Sequence, residues 1–146
     1  MNNFNIPDNI TFKARTADFD RYLCALFAQR TARDSLFSLI LFNSEIAKIR
    51  EVVSEPTLGH IRLQWWREAI EGIYKDNVHE HDIVGPLFYA LKKHNYSKKY
   101  FHQLIDAREL DLHTDNIQTM SDLVDYAEQT SSPLLYLFLE TMLPTK

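Results

Sequence analysis

A chain of 146 residues fits one domain, and at that size folding removes roughly 68–70% of the unfolded surface from water. A formal charge of −4 argues against nucleic acid, which asks for a basic patch. Three glycines and five prolines supply too few turns for a sandwich or barrel, and one cysteine, Cys24, allows neither a disulfide framework nor a cysteine-rich zinc site.

The chain opens on a polar, Asn-rich stretch without the charged start and apolar core of a signal peptide. Residues 1–16 read as a flexible arm and residues 17–146 as one helical domain. From Asp18, apolar residues at Phe19, Tyr22, Leu23, Leu26 and Phe27 fall at helical spacing. A second helix is expected from about Thr31 to Val53. It is apolar over much of its girth and therefore central. Ser54-Glu55-Pro56 ends it, because the residue before a proline avoids the α region.

Thr57 then serves as an N-cap, and Leu58, Ile61, Trp65, Ala69 and Ile73 form the inward stripe of a third helix. Adjacent tryptophans lie ~100° apart on a helix, so Trp65 and Trp66 cannot share one face: one belongs to the core, and the other is core or partly buried, or else lines a cavity or a partner surface. Asp76 to Asp82 is a polar loop. A shorter helix covers about Asp82 to His94, with Ile83, Leu87, Phe88 and Leu91 inward. Ser97 caps the next, which runs to Leu112. The last begins near Thr119 and contains Pro133, a kink costing ~3 kcal/mol unless packing offsets it.

The longest apolar stretches, Leu36–Phe42 and Leu134–Leu139, fall far short of the ~20 residues of a membrane span. The final helix is apolar on more than one side and asks for covering on both flanks. Its exposed flank is expected to drive dimerisation or capture of a partner. No segment alternates with period two long enough for a strand, so the fold class is all-α with about six helices.

Several small constellations carry little weight. Asp111 with Asp115 and Asp122 with Asp125 are common spacings in an acidic helical chain. His79 and His81 lack a third ligand of fixed geometry for zinc. His94 and His102 read as surface or cap residues.

Longer stretches carry more. Arg33, Phe42 and Glu51 stand along the second helix as an opening arginine, an aromatic and the end of an acidic motif stand in squalene and phytoene synthases. LQWWREAIEGIY resembles the tryptophan helix of that family, and LIDARELDL and YAEQTSSPLLYLFLE resemble its next two segments. The resemblance covers about Phe19 to Glu140 and the front half of the trans-isoprenyl diphosphate synthase fold; the second acidic motif belongs to the other half. FNSEIAKIREVVSEPTLG and YAEQTSSPLLY are more similar still to the branch of that family whose members assemble respiratory complex I. Pro133 departs from that branch.

The family's synthases ionise a prenyl diphosphate, with Mg²⁺ held by aspartates as Lewis acid and template. At the corresponding positions stand Ala47, with no ligand atom, and Lys48, which repels a cation. Glu51 keeps a carboxylate, followed by Glu55. Ser44 replaces an arginine and Glu128 a tyrosine. Three readings stay open: a fold kept for binding, with no cofactor; Lys48 and Arg50 holding an anionic group directly; or Glu51 and Glu55 holding one Mg²⁺. Lys48, Arg50, Glu51 and Glu55 also fit a solvated helix end.

The resemblance implies a non-catalytic factor in complex I (NADH dehydrogenase) assembly. Its cleft would involve Arg33, Asn43, Ala47, Lys48, Glu51, Trp65 and Glu128. Implied partners are an assembly intermediate or subunit, or a companion C-terminal fragment. A prenyl diphosphate or lipid ligand, a homodimer and peripheral membrane contact are compatible. The implied location is the bacterial cytoplasm or a mitochondrial matrix-like space. The rival is a head-to-head prenyl transferase completed by the missing half.

Overall fold

The computed structural model describes residues 9–113 and 117–143. Among them are eight α-helices and no strand: α1 (Ile10–Ala17), α2 (Phe19–Leu26), α3 (Arg30–Ala47), α4 (Ile49–Val52), α5 (Pro56–Tyr74), α6 (Val84–Lys93), α7 (Lys98–Ala107) and α8 (Met120–Met142). A 3-10 helix, Arg108–Leu112, continues α7.

Helix α3 is the centre, as its sequence requires. Every residue from Ser35 to Ser44 is buried, and α1, α2, α6 and α8 all pack on it. An aromatic chain runs through the core. The Phe42 ring meets Trp66 and Phe101 edge-on, each with centroids 5.4 Å apart. Helices α7 and α8 form the most extensive pair.

Local signals explain most boundaries. Asp18 caps α2, its carboxylate accepting from the Arg21 N–H at 3.0 Å. Pro56 opens α5, where a missing N–H costs nothing. Thr119 and Asp122 form a reciprocal capping box at the start of α8. Pro133 lies inside α8, which is one helix on both sides of it, with Pro133, Leu134 and Leu137 buried.

The structure departs from the sequence reading in five places. Residues 1–8 of the expected arm lie outside the described residues, but from Ile10 the chain is helical, and Ile10 and Ala14 are buried in the core. The second helix stops at Ala47, not Val53; Lys48 makes a turn and α4 follows. Thr57 is inside α5 rather than its cap, which is Glu55. The buried stripe of α5 is Leu63, Trp66, Ala69, Ile70 and Ile73, while Leu58 and Ile61 face solvent. His94 is buried, its Nε2 lying 3.1 Å from Ser35 Oγ.

Candidate functional site

Where α3 ends, the chain makes two turns that create a groove. Lys48 keeps helical angles (φ −81°, ψ −11°) but interrupts the helix, and α4 gives only one further turn before Val53 becomes extended (φ −102°, ψ 140°). Helix α5 then returns past this corner, carrying Arg62, Trp65 and Trp66.

The loop after α5 closes the other side. Asp76 adopts a left-handed conformation (φ 57°), and the Asn77 N–H donates to the Gly72 carbonyl at 2.8 Å. This folds the loop back over the tryptophans. The His81 ring lies 5.2 Å from both Trp65 and Trp66, and His79 lies 5.6 Å from Trp65. His81 is fixed by its Nδ1, which accepts from the Ile83 N–H at 3.2 Å.

Two adjoining cavities result, sharing Glu45, Lys48 and His81. One, of about 530 Å³, is bounded by Phe12, Lys13 and Thr16 of α1 and by Asp82. The other, of about 550 Å³, is bounded by Arg62, Trp65 and Val52. Lys13 Nζ meets Asp82 Oδ2 at 3.2 Å across the first. Trp66 is core and continues to Phe42, leaving half-buried Trp65 as the wall.

Lys48 and Arg62 make no ion pair with any described residue and face the groove from two elements. Lys48 also suits its place structurally, as a cation at the negative end of α3. An aromatic wall with cations and the carboxylate of Glu45 can hold an amphipathic or anionic surface.

The expected cleft residues do not all meet here. Lys48 and Trp65 line the same cavity. Asn43 and Ala47 are four residues apart and share a face of α3, turned ~100° from Lys48. Asn43 is buried, and its Oδ1 has no hydrogen-bond partner; Ser44 is buried as well. Arg33 sits at the other end of α3, its Nε donating to the Ala28 carbonyl at 3.2 Å. Glu128 lines a separate groove between α7 and α8.

Glu51 and Glu55 are exposed and line neither cavity. A spacing of four aligns two carboxylates only within a continuous helix. Here α4 ends between them, and both Val53 and Glu55 are extended. Ala47 offers no oxygen, and Lys48 opposes a cation. These residues do not fit the magnesium site of the resemblance. Among the described residues no group of three or more His, Cys, Asp or Glu could hold a metal ion.

The remaining candidates have structural partners. Asp111 accepts from the Tyr126 hydroxyl and pairs with Arg108 at 3.4 Å, joining the 3-10 helix to α8; Asp115 lies outside the described residues. Asp122 is the third residue of α8 and closes the capping box with Thr119, and Asp125 is exposed. His102 Nε2 lies 3.0 Å from Glu71. The hydrogen bond from Lys98, with that of His102, holds the Glu71 carboxyl below its usual range.

Sequence reasoning missed Lys13, Thr16, Glu45, Arg62 and Asp82 as groove residues. Arg62 was within reach, since it precedes Trp65 and Trp66 by three and four residues on one helix face. Lys13 and Thr16 were not, because α1 was read as an arm.

The model of the squalene/phytoene synthase family matches residues 14–146. The chain is 38% identical over 128 residues to the Homo sapiens protein named NADH dehydrogenase (ubiquinone) complex I, assembly factor 6, covering 88% of this chain and 38% of that protein. The Rattus norvegicus counterpart is 38% identical over 140 residues, covering 94% and 42%. A Drosophila melanogaster homolog of that factor is 30% identical over 129 residues, covering 84% and 38%. The chain therefore spans about two fifths of the length of these curated relatives. No solved structure matches.

Proposed function

Because the chain belongs to the squalene/phytoene synthase family, we propose that it keeps the family's helical scaffold without its chemistry and acts as a binding factor in assembly of respiratory NADH dehydrogenase. The names of its relatives support the assembly role. The single observation that carries the non-catalytic part is the end of α3. Ala47 and Lys48 stand there, and the only carboxylate lining both cavities is Glu45.

Ionising a prenyl diphosphate requires positive charge held against the leaving group by oxygen ligands of fixed geometry. Glu45 beside an ammonium group, with Asp82 already engaged by Lys13, gathers no such cluster. The same surface suits protein recognition. Trp65 supplies rigid, half-buried contact area, and Lys48 and Arg62 supply charge that steers and orients a partner. The partner class is an assembly intermediate or subunit of the dehydrogenase. None of the described helices is long and apolar enough to cross a membrane. The proposal places the chain in a bacterial cytoplasm or a matrix-like space, and peripheral membrane contact is compatible with it.

The test is removal of the coding sequence, followed by native-gel measurement of assembled NADH dehydrogenase. The expected result is less assembled enzyme with isoprenoid products unchanged, restored by the wild-type chain. Normal enzyme with a lost prenyl product would overturn the proposal in favour of the transferase.

A further inference from the structure

The connection from α5 to α6 is tied down less firmly than the one that follows it. Beyond the bond from Asn77 to Gly72, the backbone N–H groups of Val78, His79, Glu80, His81 and Asp82 have no hydrogen-bond partner among the described residues. The α6–α7 connection is the contrast. There Tyr96 is buried, and the Ser97 N–H donates to the Glu140 carboxylate at 2.9 Å.

Side chains hold residues 77–82 little better. Val78 is only partly buried. The hydrogen bond of His81 goes to its own neighbour Ile83 and ties nothing to the helix beneath. What remains is the ring contact of His79 and His81 with the tryptophans, and one ion pair at each end. Asp76 meets Lys92 of α6 at 2.5 Å, and Asp82 meets Lys13 of α1 at 3.2 Å. These aspartate side chains are 67% and 82% exposed, so both pairs contribute little and are screened by salt. A segment with few buried apolar contacts and an unprotected backbone opens more readily than the helices it joins.

We propose that residues 77–82 form a strap that lifts off the tryptophans within the folded state, pivoting at Asp76 and Ile83. Asp76 holds the left-handed turn (φ 57°), and Ile83 is buried in the core, so the ends stay fixed while the middle moves. His81 is the strap residue that lines both cavities. Lifting it removes the partition between them and bares the side of Trp65 that the imidazoles cover. The inference rests on the recognition role given to this groove and adds a gate to it: a partner reaches that side of Trp65 only when the strap is open.

The test reads strap motion on the whole chain with no partner present, so its outcome is separate from that of the assembly experiment. Both tryptophans are replaced by 5-fluorotryptophan, and Trp65→Phe assigns the two resonances. Fluorine relaxation dispersion should show microsecond-to-millisecond exchange at Trp65. Asp82→Asn and Asp76→Asn should each raise the open population roughly two- to fivefold, as expected for the loss of one exposed ion pair. Salt at about 1 M, where the Debye length is ~3 Å, should act in the same direction on the wild-type chain. His79→Ala combined with His81→Ala should move the Trp65 resonance to the open position, abolish the exchange and increase quenching by acrylamide. Absence of exchange at both tryptophans, or exchange that neither salt nor the aspartate variants change, would overturn the proposal. So would acrylamide quenching that the paired histidine variant leaves unaltered.

Discussion

Tyr96 and Thr141 meet in the interior, Oη to Oγ1, at 2.6 Å, joining the segment before α7 to the last turn of α8. The Thr141 hydroxyl donates to the Leu137 carbonyl at 2.9 Å, so its one proton is committed and Tyr96 is the donor in the pair. Thr141→Val removes the acceptor and leaves a buried hydroxyl short of a partner, a loss of about 1–3 kcal/mol. Tyr96→Phe removes the donor but leaves Thr141 bonded to Leu137, and should cost about 1 kcal/mol. Urea unfolding of both variants checks the order.

Alkaline pH should loosen the same region. Burial pushes the Tyr96 hydroxyl up to about 12, the Glu140 charge adding to it and hydrogen bonding to Thr141 opposing it. Burial pushes Tyr74 higher still, with Glu140 contributing; its hydroxyl donates to the Tyr96 carbonyl at 2.9 Å. Unfolded tyrosines ionise near pH ~10. Above that pH the unfolded chain has released protons that the folded chain retains, so stability is full below it and falls from there through pH 12. The urea midpoint should drop over that window, less steeply in Tyr96→Phe and Tyr74→Phe.

Mild acid acts through His94. Burial, with Lys93 beside it, lowers the pKa of this imidazole. As pH falls through the ordinary histidine range, the unfolded chain takes up the proton first, and stability falls with it. His94→Gln should flatten the pH dependence of the melting temperature between about pH 7 and pH 5, the range spanning the ordinary histidine pKa.

Glycine substitutions should separate two kinds of crowding. A Cβ at Gly72 would lie 2.4 Å from the Asn77 carbonyl oxygen, part of the turn that folds the His79–His81 loop onto the tryptophans. A Cβ at Gly59 would lie 2.3 Å from a Leu112 side-chain methyl. A methyl group moves more easily than a peptide bond. Both alanine variants should destabilise the fold, by about 1–3 kcal/mol for overpacking, with Gly72→Ala the worse. Gly72→Ala should also raise the fluorescence change of Trp65 on adding a quencher, because the covering loop is displaced.

Helix periodicity made most of the fold legible, because α3, α7 and α8 bury well-spaced apolar residues. It failed where burial and pattern disagree. Leu58 and Ile61 extend the α5 stripe on paper but face solvent, and Gly59, with no side chain, takes the buried place against Leu112. Helix α1 was hidden because Ile10 and Ala14 are its only buried contacts. His94 was misread because its partner Ser35 lies 59 residues away. The motif change at Ala47 and Lys48 was legible from sequence. The groove was not, since it needs the left-handed turn at Asp76 to bring His81 to the tryptophans.

Lys48 separates binding from folding. It is exposed and pairs with no described residue, so Lys48→Glu should cost no more than about 2 kcal/mol, from losing a cation and gaining an anion at a helix C-terminus. Its effect on NADH dehydrogenase assembly should be far larger than that stability change explains. Melting temperature and native-gel recovery, measured on the same variant, make the comparison.

The most direct measurement of the lost chemistry is diphosphate release. The purified chain is incubated with farnesyl or geranylgeranyl diphosphate, with and without Mg²⁺, and inorganic diphosphate is counted. The account predicts no release above the protein-free control under either condition. Magnesium-dependent release that disappears in Glu51→Gln would contradict it and return this scaffold to the enzymes.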